Sequence, residues 1–141
     1  MIGTYDPKKV VCSFGGIVLT GIKDGTFIEV ERHEDTFTPV VGSSGEESWT
    51  KSANRSGKIT ITLMSTSQDN DAMNAVLQQD ELLGTGVRPF FLKELNGTTI
   101  CHAPNARISK PPKIERAKEQ GGTEWVIVTT NLEMQAGGIF A

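Results

Sequence analysis

KITITLM, residues 58 to 64, opens with six residues in strict polar–apolar alternation. In an extended chain successive side chains point to opposite faces, so Ile59, Ile61 and Leu63 share one side, and Lys58, Thr60 and Thr62 the other. A strand with one dry and one wet face belongs in an antiparallel sheet packed on a single core. Threonine supports this, because its branched side chain suits a pleated surface while staying polar. Upstream, GTFIEVERHEDTF at residues 25 to 37 shows the same period, with Ile28 and Val30 on one side and Phe27, Glu29 and Glu31 on the other. A face carrying two carboxylates looks out on bulk water, on a partner subunit or on an enclosed aqueous space.

Strand and turn signals continue in both directions. VVCSF and IVLTG flank Gly15-Gly16, a two-residue hairpin turn, because glycine reaches positive φ without a Cβ clash. Lys23-Asp24-Gly25 reads as a turn before FIEVER, and in the following FTPVV Pro39 marks an edge or a departure from pairing. Residues 42 to 57, GSSGEESWTKSANRSG, read as a long loop with room for a short strand around Trp49, its only large apolar group. Loops of this length in compact domains are functional or mobile, and a tryptophan there either docks a partner or packs back on its own domain. RPFFLKEL, a turn at Asn96-Gly97 and TTICHAPNARI form a second hairpin signal. KPPK at 110 to 113 forces an extended backbone without amide donors at its prolines, which suits a strand edge, and EWVIVTTNLEM reads as the last strand.

One helix stands among these strands, at about residues 67–83. Ser67 can cap it, Asp69 and Asp71 suit its positive end, and Gly84 fits its exit. Met73, Val76, Leu77 and a leucine at 82 or 83 form one apolar stripe to lay against a sheet. Residues 1 to 9 and 135 to 141 read as arms that stay loose unless another surface orders them. The expectation is a single mainly β domain of antiparallel strands with one flanking α-helix.

Bulk properties narrow the function. A chain of 141 residues usually buries one core. With 22% charged and 37% apolar residues, 15 glycines and nine aromatics (6 Phe, 2 Trp, 1 Tyr), the composition is globular and turn-rich. A net charge of −3 disfavours tight gripping of phosphates, yet it suits a surface past which nucleic acid slides. Lys8 and Lys9 before VVCSFGGIVLTG imitate a secretory signal poorly, since Gly15-Gly16 breaks the run and no small-residue cleavage site follows. No apolar run approaches the ~20 residues that span a bilayer, so synthesis in the cytoplasm and no membrane partner are expected. Cys12 and Cys101, in strand-like contexts, are expected as buried free thiols.

Catalytic constellations are missing from the pattern. His33 and His102 are the only histidines, and the neighbours Cys101 and His102 point to opposite faces of a strand, so they cannot share a metal or a proton path. NRSGKIT lacks the earlier glycine and the following helix of a phosphate loop, and GTGVRP lacks the third glycine of a dinucleotide fingerprint. Glu29, Glu31, Glu34 and Asp35 have no calcium-loop spacing. The expectation is no enzyme and no cofactor or metal site.

Taken in order, YDPKKVVCSFGG, DGTFIEVERHEDTFTPVVG, KSANRSGKITITLM, NGTT, KPP, EWV and LEMQAGG span residues 5 to 138. As a set they resemble the tail tube proteins of contractile-tailed bacteriophages, a group that includes proteins long known only as phage structural proteins of unknown function. The resemblance implies a tail-tube-type β-barrel or sandwich with one flanking helix, assembled as stacked hexameric rings into a hollow tube inside a contractile sheath. It implies further copies of the chain, the tail sheath protein, and the baseplate and tail terminator proteins as partners. The tape measure protein and genome DNA would occupy the lumen without specific recognition. It also implies a place in the virion tail after assembly in the host cytoplasm.

On this footing Glu29, Glu31, Lys58, Thr60 and Thr62 are candidates for the channel lining. Tyr5, Pro7, Trp49, Arg55, Ile139 and Phe140 are candidates for contacts between subunits or rings. Six subunits at −3 would give −18 per ring, and a like-charged wall weakens DNA adhesion. The alternatives are the tube of a related bacterial contractile injection or secretion system, which passes toxins, and a monomeric β-barrel binding module. The module's expected cluster of aromatic and basic residues is missing.

Overall fold

The Gly15-Gly16 turn forms as the sequence dictates. In the computed structural model, which describes residues 3–19, 28–119 and 121–139, β1 (Val10–Phe14) pairs with β2 (Ile17–Val18). Gly15 and Gly16 have φ of 59° and 88°, the two positive values a type I′ turn requires. The remaining strands are β3 (Ile28–Arg32), β4 (Phe37–Val41), β5 (Glu47–Lys51), β6 (Gly57–Met64), β7 (Arg88–Glu94), β8 (Ile100–Ile108), β9 (Gly122–Thr129) and β10 (Glu133–Gln135). One helix, α1 (Asp69–Leu83), lies between β6 and β7. The fold is mainly β and antiparallel, as the alternating strands predict. The expected turn at Lys23-Asp24-Gly25 and the side assigned to Phe27 lie outside the described residues.

The main sheet runs β2-β1-β7-β8-β9-β6-β3, and β4 with β5 forms a separate two-stranded ribbon. Its dry face converges on one cluster that includes Phe14, Ile59, Ile61, Leu63, Phe90 and Ile127. Val10 of β1, and Ile28 and Val30 of β3, lie near opposite ends of the strand order yet pack against that same cluster, so the sheet curls on itself like a barrel. Between these ends lies a groove of about 460 Å³ lined in part by Val10, Ile28, Val30, Cys101 and Met134. Strand β8 changes neighbour along its length: residues 100–102 pair with β10 and residues 106–108 with β9. Pro104, which has no amide to donate, stands between the two stretches.

Met73, Val76 and Leu77 are buried, and the helix lies on the core as its spacing requires. Trp125 Nε1 donates to Asn70 Oδ1 at 2.9 Å, and Asn70 Nδ2 donates to the carbonyl of Met64 at 2.9 Å, fastening the first turn to β9 and β6. The helix begins at Asp69, two residues later than expected, although the Ser67 hydroxyl still accepts from the Asp69 amide at 3.1 Å. Gly84, at φ 69°, closes it.

Leu82 and Leu83 do not extend the stripe, because they are 83% and 71% exposed. The reason is spacing. The position three residues after Leu77 is Asp80, whose carboxylate takes Arg107 Nε at 3.0 Å and Nη2 at 2.6 Å from β8. The Arg107 guanidinium draws that carboxyl below its usual range. An ion pair therefore ends the apolar stripe one turn early.

Three further expectations are corrected. The short strand allowed for around Trp49 forms as β5 (Glu47–Lys51), but the segment 42–57 ends sooner than expected, since Gly57 already opens β6. EWVIVTTNLEM is two strands: burial alternates through Trp125, Ile127 and Thr129, but the next buried side chain is Leu132, an odd step that a continuous strand cannot make. After a bend at residues 130–132 the chain runs on along β8 in the same direction and register as β10, so Gln135, assigned to the tail, belongs to the sheet. KPPK lies outside every strand, in an irregular segment between β8 and β9.

Cys12 and Cys101 are buried free thiols, as expected. Each is register partner of Leu92, on its two sides, so they sit two strand spacings apart, roughly 10 Å, beyond the ~7 Å a disulfide spans. Burial pushes the Cys12 thiol up to about 12 and raises that of Cys101. A thiol-specific chromogenic reagent at pH 8 is therefore expected to label neither thiol quickly in the native protein and both after denaturation. Fast native labelling at one site would contradict this packing.

Candidate assembly surfaces

Pairing brings the sequence-selected polar residues of β3 and β6 onto one sheet face. Glu29 stands opposite Thr60 and Glu31 opposite Lys58, while on the far side of β6 Thr60 meets Val126 and Thr62 meets Glu124. All five residues expected on a common wall thus share the outward face, the inward side being occupied by Ile59, Ile61 and Leu63. Lys58 Nζ lies 3.4 Å from Glu31 Oε1, with both side chains substantially exposed, so the pair offsets charge locally while adding little stability. Strand β9 adds Glu124, Val126 and Val128 to this face. The sequence reading recognised that strand without extracting its outward side, although the alternation around Trp125 and Ile127 carried the signal.

The ribbon β4–β5 leaves the opposite end of β3 and β6 from the helix. Every one of its ten strand residues is exposed. Pro39 stands across from Trp49, Phe37 across from Lys51 and Val41 across from Glu47, so Phe37, Pro39, Val41 and Trp49 share one apolar face flanked by charge. Trp49 itself is 71% exposed. A tight turn closes the tip, with the Gly42 amide donating to the Glu46 carbonyl at 2.7 Å. An isolated two-stranded ribbon is marginal in water, so a partner surface on this apolar face would stabilise it.

The base of the ribbon is well anchored. Arg32 donates through Nε and Nη2 to the Leu132 carbonyl at 3.2 and 3.0 Å, and the Leu132 amide donates to the Arg55 carbonyl at 2.9 Å. Arg55, expected at a subunit contact, pairs within the chain with Glu133 at 2.7 Å. A Cβ on Gly57 would collide with the Glu31 carbonyl at 2.5 Å and with Leu132, so glycine is needed where these segments meet.

Both arms lie against the loop between β7 and β8. Pro7 opens a short 3₁₀ turn whose last residue, Lys9, accepts from the Leu95 amide at 2.8 Å. From the other terminus, Gly138 accepts from the Thr98 amide at 3.1 Å, and Ile139 bridges Gly97. Tyr5, Asn96 and Ile139 line the same cleft. Phe140, with residues 1, 2 and 141 of the arms, lies outside the described residues. His33 Nδ1 is 3.2 Å from the Ser56 hydroxyl, and His102 is exposed while Cys101 is buried. Among the described residues no group of three metal-ligating side chains gathers.

Comparison with known proteins places this geometry in context. The family model described as "Bacteriophage PhiTE tail tube protein" matches residues 10–137. "Structural protein ORF10" of Pseudomonas phage KPP10 is 29% identical over 143 residues, covering 96% of this chain and 83% of that protein. Among solved structures, the anti-feeding prophage tube-terminating cap superposes with a TM-score of 0.66 at 11% identity, covering 96% of this chain and 94% of that one. The sheath/tube terminator of the PVC extracellular contractile injection system gives 0.61 at 12% identity, over 94% and 97% of the two chains. A chain of the sheath-tube complex of the PVC system gives 0.58 at 12% identity, over 94% and 92%. At such identities these superpositions speak for the fold alone.

Proposed function

Since the chain belongs to the bacteriophage PhiTE tail tube protein family, matched across residues 10–137, we propose that it polymerises as stacked hexameric rings into the inner tube of a contractile phage tail and forms the conduit for genome DNA. The observation that carries this reading is the continuous outward face of β3, β6 and β9, dry on one side and polar on the other. In a ring that face, with Glu29, Glu31, Lys58, Thr60 and Thr62, would line the lumen. Carboxylates on the wall repel phosphates, while the Glu31–Lys58 pair keeps the lining from being uniformly negative. Threonine hydroxyls keep it wetted without fixed charge.

Assembly would use what the fold leaves uncovered: the apolar face of the ribbon with Trp49, and the corner where Tyr5, Pro7 and Ile139 meet. Copies of the chain come first among the partners, then sheath, baseplate and terminator proteins on the outside and at the ends. The tape measure protein and DNA would occupy the lumen, and the assembled protein would reside in the virion after assembly in the host cytoplasm. A tube from a bacterial injection system, whose components share this fold, is the second reading; the sequence-level matches favour the phage. Negative-stain electron microscopy across a concentration series tests the proposal. Rings or hollow tubes are expected, and a monodisperse monomer at every concentration would count against it.

A further inference from the structure

Both arms of the chain are fastened to one short turn, and that turn holds the dipeptide Asn96-Gly97. The Leu95 amide donates to the Lys9 carbonyl at 2.8 Å, and the Thr98 amide donates to the Gly138 carbonyl at 3.1 Å. The Gly137 amide donates to the Thr99 hydroxyl at 3.0 Å, and Gly97 forms a bridge with Ile139. Residues 95–99 therefore act as a clasp. Glycine is required at its centre, because a Cβ on Gly97 would run into the Gly138 carbonyl.

The same glycine leaves Asn96 open to attack from its own backbone. Of the six asparagines only Asn96 precedes a glycine, so only there does the following nitrogen lack a neighbouring side chain to crowd it. Other asparagine side chains are held in place: Asn70 accepts from Trp125 and donates to the Met64 carbonyl, and Asn54 accepts from the Ser56 amide at 3.0 Å. Among the described residues the Asn96 side chain has no hydrogen-bond partner, and the adjoining Leu95 is 56% exposed, so water reaches the turn. The Gly97 amide is restrained only by a long bond of 3.3 Å to the Glu94 carbonyl.

We infer that Asn96 is a self-modification site whose deamidation opens the clasp. The Gly97 nitrogen attacks Cγ of Asn96, the bond from Cγ to Nδ2 breaks, and ammonia leaves with the proton given up by the Gly97 nitrogen. Water, the only co-reactant, then opens the cyclic imide at either carbonyl to give aspartate or isoaspartate. Both products place a new carboxylate in a cleft lined by Asp6 and Glu94, with Lys9 as the one cation of that lining among the described residues. Glu94 Oε2 is itself buried without a hydrogen-bond partner, so the cleft has no spare donor for another acid. Isoaspartate also inserts a methylene into the backbone before Gly97, which shifts the Gly97 and Thr98 amides away from Ile139 and Gly138. With those bonds lost, both arms come loose.

The full-length protein tests this without any substitution. In warm, mildly alkaline buffer it is expected to become acidic at Asn96 ahead of every other asparagine, as located by peptide mass spectrometry. Ion exchange separates converted from unconverted chains by their charge. Hydrogen exchange at the Leu95, Thr98 and Gly137 amides is expected to be at least about tenfold faster in the converted fraction, with the β6–β9 ladder unchanged. Asn96→Gln, whose longer side chain closes an imide far more slowly, is expected to keep the clasp through the same incubation. An Asn96 that stays intact in the native protein and converts only after denaturation would overturn the inference, because the fold would then protect it. Conversion without faster exchange, or equal loosening in aged Asn96→Gln, would overturn it too. None of these outcomes depends on tube formation.

Discussion

Trp125→Ala is expected to lower the unfolding free energy by about 3–5 kcal/mol, much of the ~5–15 kcal/mol a domain of this size usually has. The indole is buried in the core beside Ile61 and Ile127, so truncation removes apolar burial and leaves a cavity that the strands cannot fill. It also removes the donor to Asn70, whose own amide holds the Met64 carbonyl, loosening the start of the helix. Trp125→Phe separates the two contributions, since it keeps most of the apolar volume and loses the hydrogen bond, at an expected cost of about 1–2 kcal/mol. Urea unfolding followed by circular dichroism measures both, with exposed Trp49 as an independent fluorescence reporter. If alanine cost less than phenylalanine, Trp125 would not be the fastening point described.

The second large effect concerns DNA passage through the proposed hexameric tube. Glu29→Lys together with Glu31→Lys changes each subunit from −3 to +1, and six subunits from −18 to +6. Both positions are exposed on β3 and neither contributes to the core, so folding and ring formation are expected to survive, with a modest cost where the lysine introduced at position 31 would face Lys58. Phosphates would then adhere to the wall, and DNA release from reconstituted particles is expected to slow by an order of magnitude or more at low salt. Added salt should relieve the effect, because screening shortens the range of attraction. Glu29→Gln with Glu31→Gln should fall between. Unchanged release at every salt concentration would remove β3 from the lumen.

Much of this architecture was legible in KITITLM and in Gly15-Gly16, because a period of two and a pair of positive-φ residues each admit few structures. That Glu29, Glu31, Lys58, Thr60 and Thr62 share one outward face was legible for the same reason: alternation decides a face before the partner strand is known. The ribbon was legible only in part: an edge at Pro39 and a short strand around Trp49 could be read, but not the pairing of β4 with β5, whose apolar face has no covering within the chain and so leaves no burial pattern to read. Leu82 and Leu83 misled because hydrophobicity outweighed position, when the decisive residue was the acid at 80 that meets Arg107. The split between β9 and β10 hung on the odd step to Leu132, which spacing alone could have exposed.

The neighbour change along β8 bears on when the chain can fold at all. The β1–β2–β7–β8 block and the β3–β6 pair are joined in the sheet only by β9, and β10 completes the edge beside β8. Residues 122–135 are therefore the keystone, and they are synthesised after nearly everything they connect. A nascent chain still short of them exposes unpaired edges and has no finished sheet. In the proposed tube, competence to polymerise would therefore arrive late in translation.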